Sequence, residues 1–120
     1  MRHVAAILAL VATGCAASSG ADVPLDSGNY VFQHRFAEHP QMPSVTFNVT
    51  IDGDKITLTN PKAAGPFPAG IIEQGQLVWH QASSSWIIAH SDADQFAPEV
   101  GGCSEGPHVV DLHAKVYWTC

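Results

Sequence analysis

The chain has 120 residues, with 11 acidic against 5 basic side chains and a formal net charge of −6 when histidines are neutral. This balance argues against a nucleic-acid-binding surface, because phosphate contacts need clustered lysine and arginine. The length predicts a single domain with a modest core.

The first fifteen residues have the pattern of an export signal. Arg2 supplies a short positive region, and residues 4–12 form an apolar run that is too short to span a bilayer, which needs roughly 20 residues. Residues 12–15 read Ala-Thr-Gly-Cys. This segment resembles the signal peptide and lipobox of bacterial lipoprotein precursors. The resemblance implies a signal peptide over residues 1–14, cleavage before Cys15, and lipidation of the Cys15 thiol.

A lipidated Cys15 would hold the protein in the bacterial cell envelope through a membrane anchor. Because Ala16 rather than Asp follows the cysteine, the resemblance implies the outer membrane, facing the periplasm, in a Gram-negative cell. The alternative is an ordinary secretory signal cut after Ala21, since Ser19-Gly20-Ala21 is a small-x-small site and would release a soluble secreted or periplasmic protein. Residues 15–28 are predicted to be a flexible tether, and residues 29–120 a single β domain.

The cysteine count supports one disulfide bond. In either processing scheme Cys15 cannot form a disulfide, because it is lipidated or removed. Cys103 and Cys120 remain, and they should pair in an oxidising compartment. The closed loop of roughly 17 residues would contribute on the order of 3 kcal/mol to stability by restricting the unfolded chain. A two-thiolate metal site lacks the paired spacing that zinc sites show.

Alternating apolar and polar residues predict strands in the first half of the domain. Residues 30–36 place Tyr30, Phe32, His34 and Phe36 on one face, and His34 is expected to be a core or rim histidine with a hydrogen-bond partner. Residues 45–51 and 55–60 alternate in the same way around Asp52-Gly53-Asp54, a strong signal for a hairpin.

The middle of the chain predicts a loop and a second hairpin. Residues 61–70 carry three prolines and two glycines, which favour a loop. A short strand is expected at 71–72, before Gly75. Residues 76–81 and 86–90 then form a hairpin, and a two-residue turn at 83–84 would place Trp79 opposite Ile88.

The last third of the chain predicts a long loop and one long strand. The loop over residues 91–107 is acidic, holds Cys103 and includes a possible helical turn at 92–96; loops of this length are often functional. Residues 109–120 alternate as a single strand, whose outer face would carry a row of polar side chains: Asp111, His113, Lys115 and Tyr117. Six to eight short strands with turns between them predict an all-β fold, an antiparallel barrel or sandwich.

The chain offers no strong signal for catalysis or for a bound metal or cofactor. Six histidines follow residue 15, but they lack the spacing of zinc ligands, and His80 and His90 are expected on opposite faces of their hairpin. The serines at 83–85 lack the G-x-S-x-G elbow of serine hydrolases. The three tryptophans fall on predicted apolar faces, which favours core packing over a ligand cavity. We therefore expect neither an enzyme nor a metalloprotein.

These observations favour a binding or interaction module of the cell envelope, with the 91–107 loop as the contact for an envelope protein. A small-ligand or metal carrier is the alternative, and it requires a cavity or converging histidines. Small periplasmic lipoproteins that inhibit lysozymes are similar in size, anchor and β architecture, which implies a third possibility, an inhibitor of an enzyme that attacks the envelope. An acidic surface would suit a basic enzyme.

Overall fold

A computed structural model describes residues 22–120, which form a closed seven-stranded β-barrel. The predicted signal peptide, Cys15 and the alternative cleavage site after Ala21 lie outside the described residues. The all-β class is confirmed, and the fold is a barrel rather than a sandwich. In chain order the strands are β1 (Gly28–Phe36), β2 (Thr46–Asp52), β3 (Lys55–Asn60), β4 (Gly70–His80), β5 (Ser85–Ala89), β6 (Val109–Asp111) and β7 (Val116–Thr119).

Neighbouring strands in the chain pair antiparallel, and the barrel closes through a parallel pair between β1 and β7. The predicted hairpin around Gly53 is present: Asp52 faces Lys55 across the turn, and Gly53 has a φ of 65°. A left-handed backbone at this position favours glycine, which has no Cβ to clash. The sequence pattern therefore located the first three strands correctly.

The barrel interior is filled by side chains that alternate along the strands. The buried core includes Phe32, Phe47, Val49, Ile51, Ile56, Leu58, Leu77, Ile88, Val110, Leu112 and Tyr117. Small barrels have an interior just wide enough for side chains to fill. Among the described residues, the hydrophobic effect of burying this set is the main force that holds the barrel closed.

Two strand predictions are wrong. Residues 70–80 form one continuous strand rather than two pieces, and their hairpin with β5 turns through residues 81–84, so that Trp79 faces Trp86 rather than Ile88. The predicted strand over residues 109–120 is a hairpin, β6–β7, with a turn at 112–115. In that turn the Asp111 carboxylate accepts a hydrogen bond from the Ala114 N–H at 2.8 Å, and Lys115 has a φ of 59°.

The last residues of the predicted tether contact the barrel. Val23 and Leu25 are half-buried against the core, and the Tyr30 hydroxyl donates to the Asp26 carbonyl at 2.6 Å. The folded domain therefore begins before the predicted boundary at residue 29, because Val23 and Leu25 bury apolar surface against the barrel. In residues 22–120 no helix is both long enough and apolar enough to cross a membrane.

Candidate functional site

Residues 91–108, which we name the strap, lie across the outer face of β4 and β5. On that face Val78, Ile87 and Ala89 are buried, and Val100 of the strap packs on them together with Val109. The predicted helical turn is present as a short 3-10 helix at Asp92–Phe96. The strap explains why both faces of these strands are apolar, since one faces the barrel core and the other faces the strap.

Midway along the strap, His80 holds the backbone at Ala97. The His80 side chain is almost fully buried, and its Nε2 lies 2.8 Å from the Ala97 carbonyl oxygen, which can only accept. Nε2 must therefore carry the proton, and Nδ1 accepts from the Ser83 hydroxyl at 2.7 Å. His80 is thus a structural side chain that ties the strap to the β4–β5 turn.

Beyond its midpoint, the strap is bonded covalently to the end of the chain. Cys103 and Cys120 form the predicted disulfide, with 4.5 Å between their Cα atoms and a sequence separation of 17 residues. Cys120 directly follows β7, so the bond ties the strap to the strand that closes the barrel. A bond of this loop length contributes on the order of 3 kcal/mol to stability.

At the two ends of the strap, one buried carboxylate holds two histidines. The Glu73 side chain on β4 is 8% exposed; its Oε2 lies 2.7 Å from His90 Nε2, and its Oε1 lies 2.8 Å from His108 Nδ1. His90 precedes the strap and His108 is its last residue. The Tyr117 hydroxyl on β7 donates to the same Oε1 at 2.5 Å. We call these four residues the Glu73 cluster.

The electrostatics of the Glu73 cluster favour an ionised pair. Burial opposes the charge on Glu73, but the hydrogen bonds from His108, Tyr117 and His90 outweigh it and lower the pKa of the Glu73 carboxyl. The hydrogen bond to Glu73 in turn raises the pKa of His108, whose side chain is 41% exposed. Burial and the nearby carboxylate raise the pKa of Tyr117, so its hydroxyl remains a hydrogen-bond donor.

A β-bulge places Glu73 in this position. Thr59 pairs with Ile71 while Leu58 pairs with Glu73, so Ile72 is the extra residue on β4. Since Leu58 faces the core, its partner Glu73 faces inward as well, whereas Ile71 is 61% exposed. The sequence pattern does not single out Glu73, because a bulge of one residue reverses the alternation on which the face assignment depends. His108 lies outside the strands, where alternation gives no assignment. The available signal was that Glu73 is the one acidic residue of β4.

His34 lies beside the Glu73 cluster as a buried histidine, and within residues 22–120 it has no carboxylate partner. Its ring centre is 6.1 Å from that of Tyr117. Its Nδ1 lies 2.6 Å from the Ser44 hydroxyl and its Nε2 lies 2.7 Å from the Thr119 hydroxyl, which confirms the predicted core position with hydrogen-bond partners. Burial, followed by the nearby charges of His108 and Arg35, lowers the pKa of His34.

The strap folds around a groove with an acidic lining. The groove has a volume of about 450 Å³, and its wall includes three carboxylates, Asp94, Glu99 and Glu105, together with the His90 ring. The Asp94 carboxylate also accepts a hydrogen bond from the His90 backbone N–H at 2.8 Å. Gly106 lines the groove against the Glu99 carbonyl, where there is no room for a Cβ. The strap backbone therefore closes on itself and fixes the shape of the groove.

The predicted polar row on the last strand does not exist as a row. Asp111 is at the end of β6, while His113 and Lys115 lie in the following turn. Tyr117 is buried at 2% exposure and faces inward on β7, as a member of the Glu73 cluster. The four-residue turn changes which residues face inward, so side chains that alternate in the sequence point to different parts of the molecule.

No arrangement of three or more His, Cys, Asp and Glu side chains in residues 22–120 could hold a metal ion. In the Glu73 cluster each carboxylate oxygen already accepts a histidine hydrogen bond. Comparison with protein-family models, with curated proteins and with solved structures gave no match to this chain.

Proposed function

We propose that this chain is a lipid-anchored binding module of the bacterial cell envelope, and that the acidic groove of the strap receives a lysine- or arginine-rich segment of a partner protein. The observation behind the proposal is that the strap is attached to the barrel at several points. Glu73 holds both of its ends, His80 holds its middle, and the Cys103–Cys120 disulfide joins it to the end of the chain. A surface that is already ordered binds without the entropic cost of ordering a loop.

The charge of the domain supports a basic partner. Beyond Arg2 the chain has four basic residues (Arg35, Lys55, Lys62 and Lys115) against all eleven acidic ones, and the residues that line the groove include no lysine or arginine. A negative surface attracts a basic partner during diffusion and discriminates against acidic ones.

The anchor rests on the lipobox-like segment that ends at Cys15. An acidic domain has no electrostatic attraction to anionic headgroups, so its attachment to a membrane would depend on the acyl chains. Mass spectrometry of the N-terminal peptide from the envelope fraction tests this part. We expect a diacyl or triacyl Cys15 at the N-terminus; a mature chain that starts at Asp22 would show secretory cleavage instead.

A binding experiment with charge-matched variants tests the role of the groove. The probe is a lysine-rich decapeptide, and the protein is the processed chain in detergent. We expect the double variant Glu99→Gln/Glu105→Gln to weaken binding at least tenfold. The control, Glu38→Gln/Asp52→Asn, removes the same charge from exposed positions outside the strap and should change affinity less than twofold. Equal losses in both variants would show attraction by overall charge and would reject the groove.

The same groove suits a basic enzyme as the partner, which is the enzyme-inhibitor form of the proposal. A lysozyme, as a basic enzyme that attacks the envelope, is the probe. Inhibition of lysozyme that disappears in Glu99→Gln/Glu105→Gln and persists in the control variant would support this form. A lack of inhibition at micromolar protein would remove it and leave the peptide-binding proposal to its own test.

A further inference from the structure

All three tryptophans of the chain line one concavity near the end of β4, and Glu73 is not part of its lining. Trp79, Trp86 and Trp118 come from β4, β5 and β7, and the concavity has a volume of about 300 Å³. The strap groove has a different set of lining residues, so the two sites are separate. We call this concavity the tryptophan pocket.

Core packing accounts for only one of these three side chains. Trp86 packs against the main core cluster, whereas Trp79 and Trp118 are half-buried and belong to neither cluster of the described residues. Trp118 pairs with Arg35 on the outer face of the barrel, which corrects the expectation that it fills the core. Large indole rings that line a concavity and remain partly exposed to solvent are typical of a binding site.

The tryptophan pocket has fixed walls. The Trp79 and Trp86 rings meet nearly edge to face, with centroids 5.5 Å apart and planes at 68°, so they form a corner. The Trp79 indole N–H donates to the Gln81 side-chain oxygen at 3.0 Å, which holds that ring. The Trp79 and Trp86 rings therefore have defined positions before any ligand arrives.

The charge at the tryptophan pocket favours a cation. Among the described residues its lining includes one carboxylate, Asp111, one histidine, His113, and no lysine or arginine. The Asp111 carboxylate is held in place by the hydrogen bond from the Ala114 N–H. Aromatic faces with a carboxylate beside them attract a cation through the ring quadrupole and the formal charge together.

We propose that the tryptophan pocket binds a quaternary ammonium group. A primary ammonium has three N–H donors, and those that turn toward the indole faces find only a poor acceptor. A quaternary ammonium has no N–H group, so it loses less hydration free energy when it leaves water. Its charge can therefore contact indole faces, as it does in aromatic cages. The proposal goes beyond the binding of a basic protein segment, because neither the strap nor its carboxylates take part.

Intrinsic fluorescence tests this proposal directly, because every tryptophan of the chain lines the pocket. The full chain is titrated at pH 8 and constant ionic strength with choline chloride, and in parallel with 3,3-dimethylbutan-1-ol, its neutral isostere. Methylammonium chloride is the third probe. We expect a saturable change with choline, and at least tenfold weaker binding of both other compounds.

Variants locate the binding site. Asp111→Asn should weaken choline at least fivefold, whereas Asp92→Asn, which removes an exposed carboxylate outside the pocket, should leave it unchanged. If Asp111→Asn alters the far-ultraviolet circular dichroism, the comparison of choline with its isostere in the unmodified chain decides alone. Equal binding of the two compounds, or the lack of a saturable response to choline, would overturn the proposal without affecting the strap groove.

Discussion

His34 and His108 both lie beside the Tyr117 ring, and the barrel holds them in opposite ways. His34 is fully buried between two hydroxyl groups, and burial lowers its pKa, which favours the neutral ring. His108 is 41% exposed, contacts the Glu73 carboxylate, and has a raised pKa. The ring centres of both histidines lie within about 6 Å of the Tyr117 ring centre, at 6.1 and 5.5 Å.

The difference shows how partner chemistry determines what a histidine does. Hydroxyl groups satisfy a neutral ring at low cost, so His34 serves as part of the core. A carboxylate stabilises the charged ring, so His108 can join the end of the strap to the barrel. His34 therefore belongs to the fold, and His108 belongs to the attachment of the surface that we propose for binding.

The largest contrast should appear when each ring is removed. His34→Ala leaves a cavity in the core and two half-buried hydroxyl groups without their partner, at a cost of about 3 kcal/mol in the free energy of unfolding. His108→Ala removes a more exposed ring and should cost about 1 kcal/mol. Urea unfolding at pH 7 measures both, and similar losses in the two variants would contradict the distinction.

Loss of the disulfide should have the next largest effect. We expect Cys103→Ser/Cys120→Ser to lower the free energy of unfolding by about 3 kcal/mol, since the unfolded chain regains the entropy of the open loop. The strap should become more accessible to proteases than β1–β3 of the same variant. Limited proteolysis with mass mapping checks this, and first cleavage within β1–β3 would contradict the strap as the separately attached element.

Neutralising Glu73 should weaken the attachment of the strap at both ends. Glu73→Gln removes the charge from two histidine contacts, and charge-assisted hydrogen bonds of this kind are worth about 1.5–3 kcal/mol. Because the amide retains some hydrogen bonding, we expect a net loss of about 2 kcal/mol at pH 6. Glu38→Gln, an exposed control, should change stability by less than about 0.5 kcal/mol. Hydrogen exchange should rise in the strap of Glu73→Gln, and protection equal to that of the unmodified chain would contradict the role of Glu73.

The smallest effect is the pH dependence of stability, in which the two histidines oppose each other. The contribution of His108 is present below pH 6.5 and is lost as the pH rises through its raised pKa. The contribution of His34 is present above pH 6.5 and is lost as the pH falls through its lowered pKa. In Glu73→Gln the His108 contribution is lost, so acidification from pH 8 to 5.5 should lower the free energy of unfolding more than in the unmodified chain. Chemical unfolding at each pH measures this difference. An equal or smaller decrease in Glu73→Gln would contradict the opposite contributions of the two histidines.

The pH dependence has a further limit on the acid side. Glu73 contributes above its ordinary pKa of 4.5, and the contribution disappears as the pH falls through its lowered pKa. The attachment of the strap by Glu73 and His108 is therefore strongest between about pH 4.5 and 6.5.

Much of the barrel could be predicted from the sequence, because alternation and turn residues are local signals. The β2–β3 hairpin follows from Asp52-Gly53 between alternating runs. The β6–β7 turn could not be predicted, since residues 112–115 contain no glycine, proline or asparagine and the alternation continues through them by coincidence. What decides the turn is a long-range requirement: β7 must pair with β1 to close the barrel.

The Glu73 cluster could not be predicted from the sequence for a related reason. It joins Glu73 to residues 17 to 44 positions away in the chain, and its assembly depends on a bulge between β3 and β4 and on the path of the strap. The disulfide, in contrast, followed from counting cysteines. A pairing with few possible partners, such as this disulfide, can be predicted from the sequence alone. A cluster of polar side chains can be recognised only when the fold is known.

The most direct test of the account is a titration of the histidine rings by nuclear magnetic resonance, in the unmodified chain and in Glu73→Gln. We expect His108 to titrate above pH 6.5 and His34 below it, because Glu73 stabilises the charged ring of His108 while burial disfavours the charged ring of His34. In Glu73→Gln the pKa of His108 should fall, and His34 should remain below 6.5. A His108 that titrates at or below 6.5 in the unmodified chain, or that does not respond to the loss of Glu73, would contradict the proposed attachment of the strap.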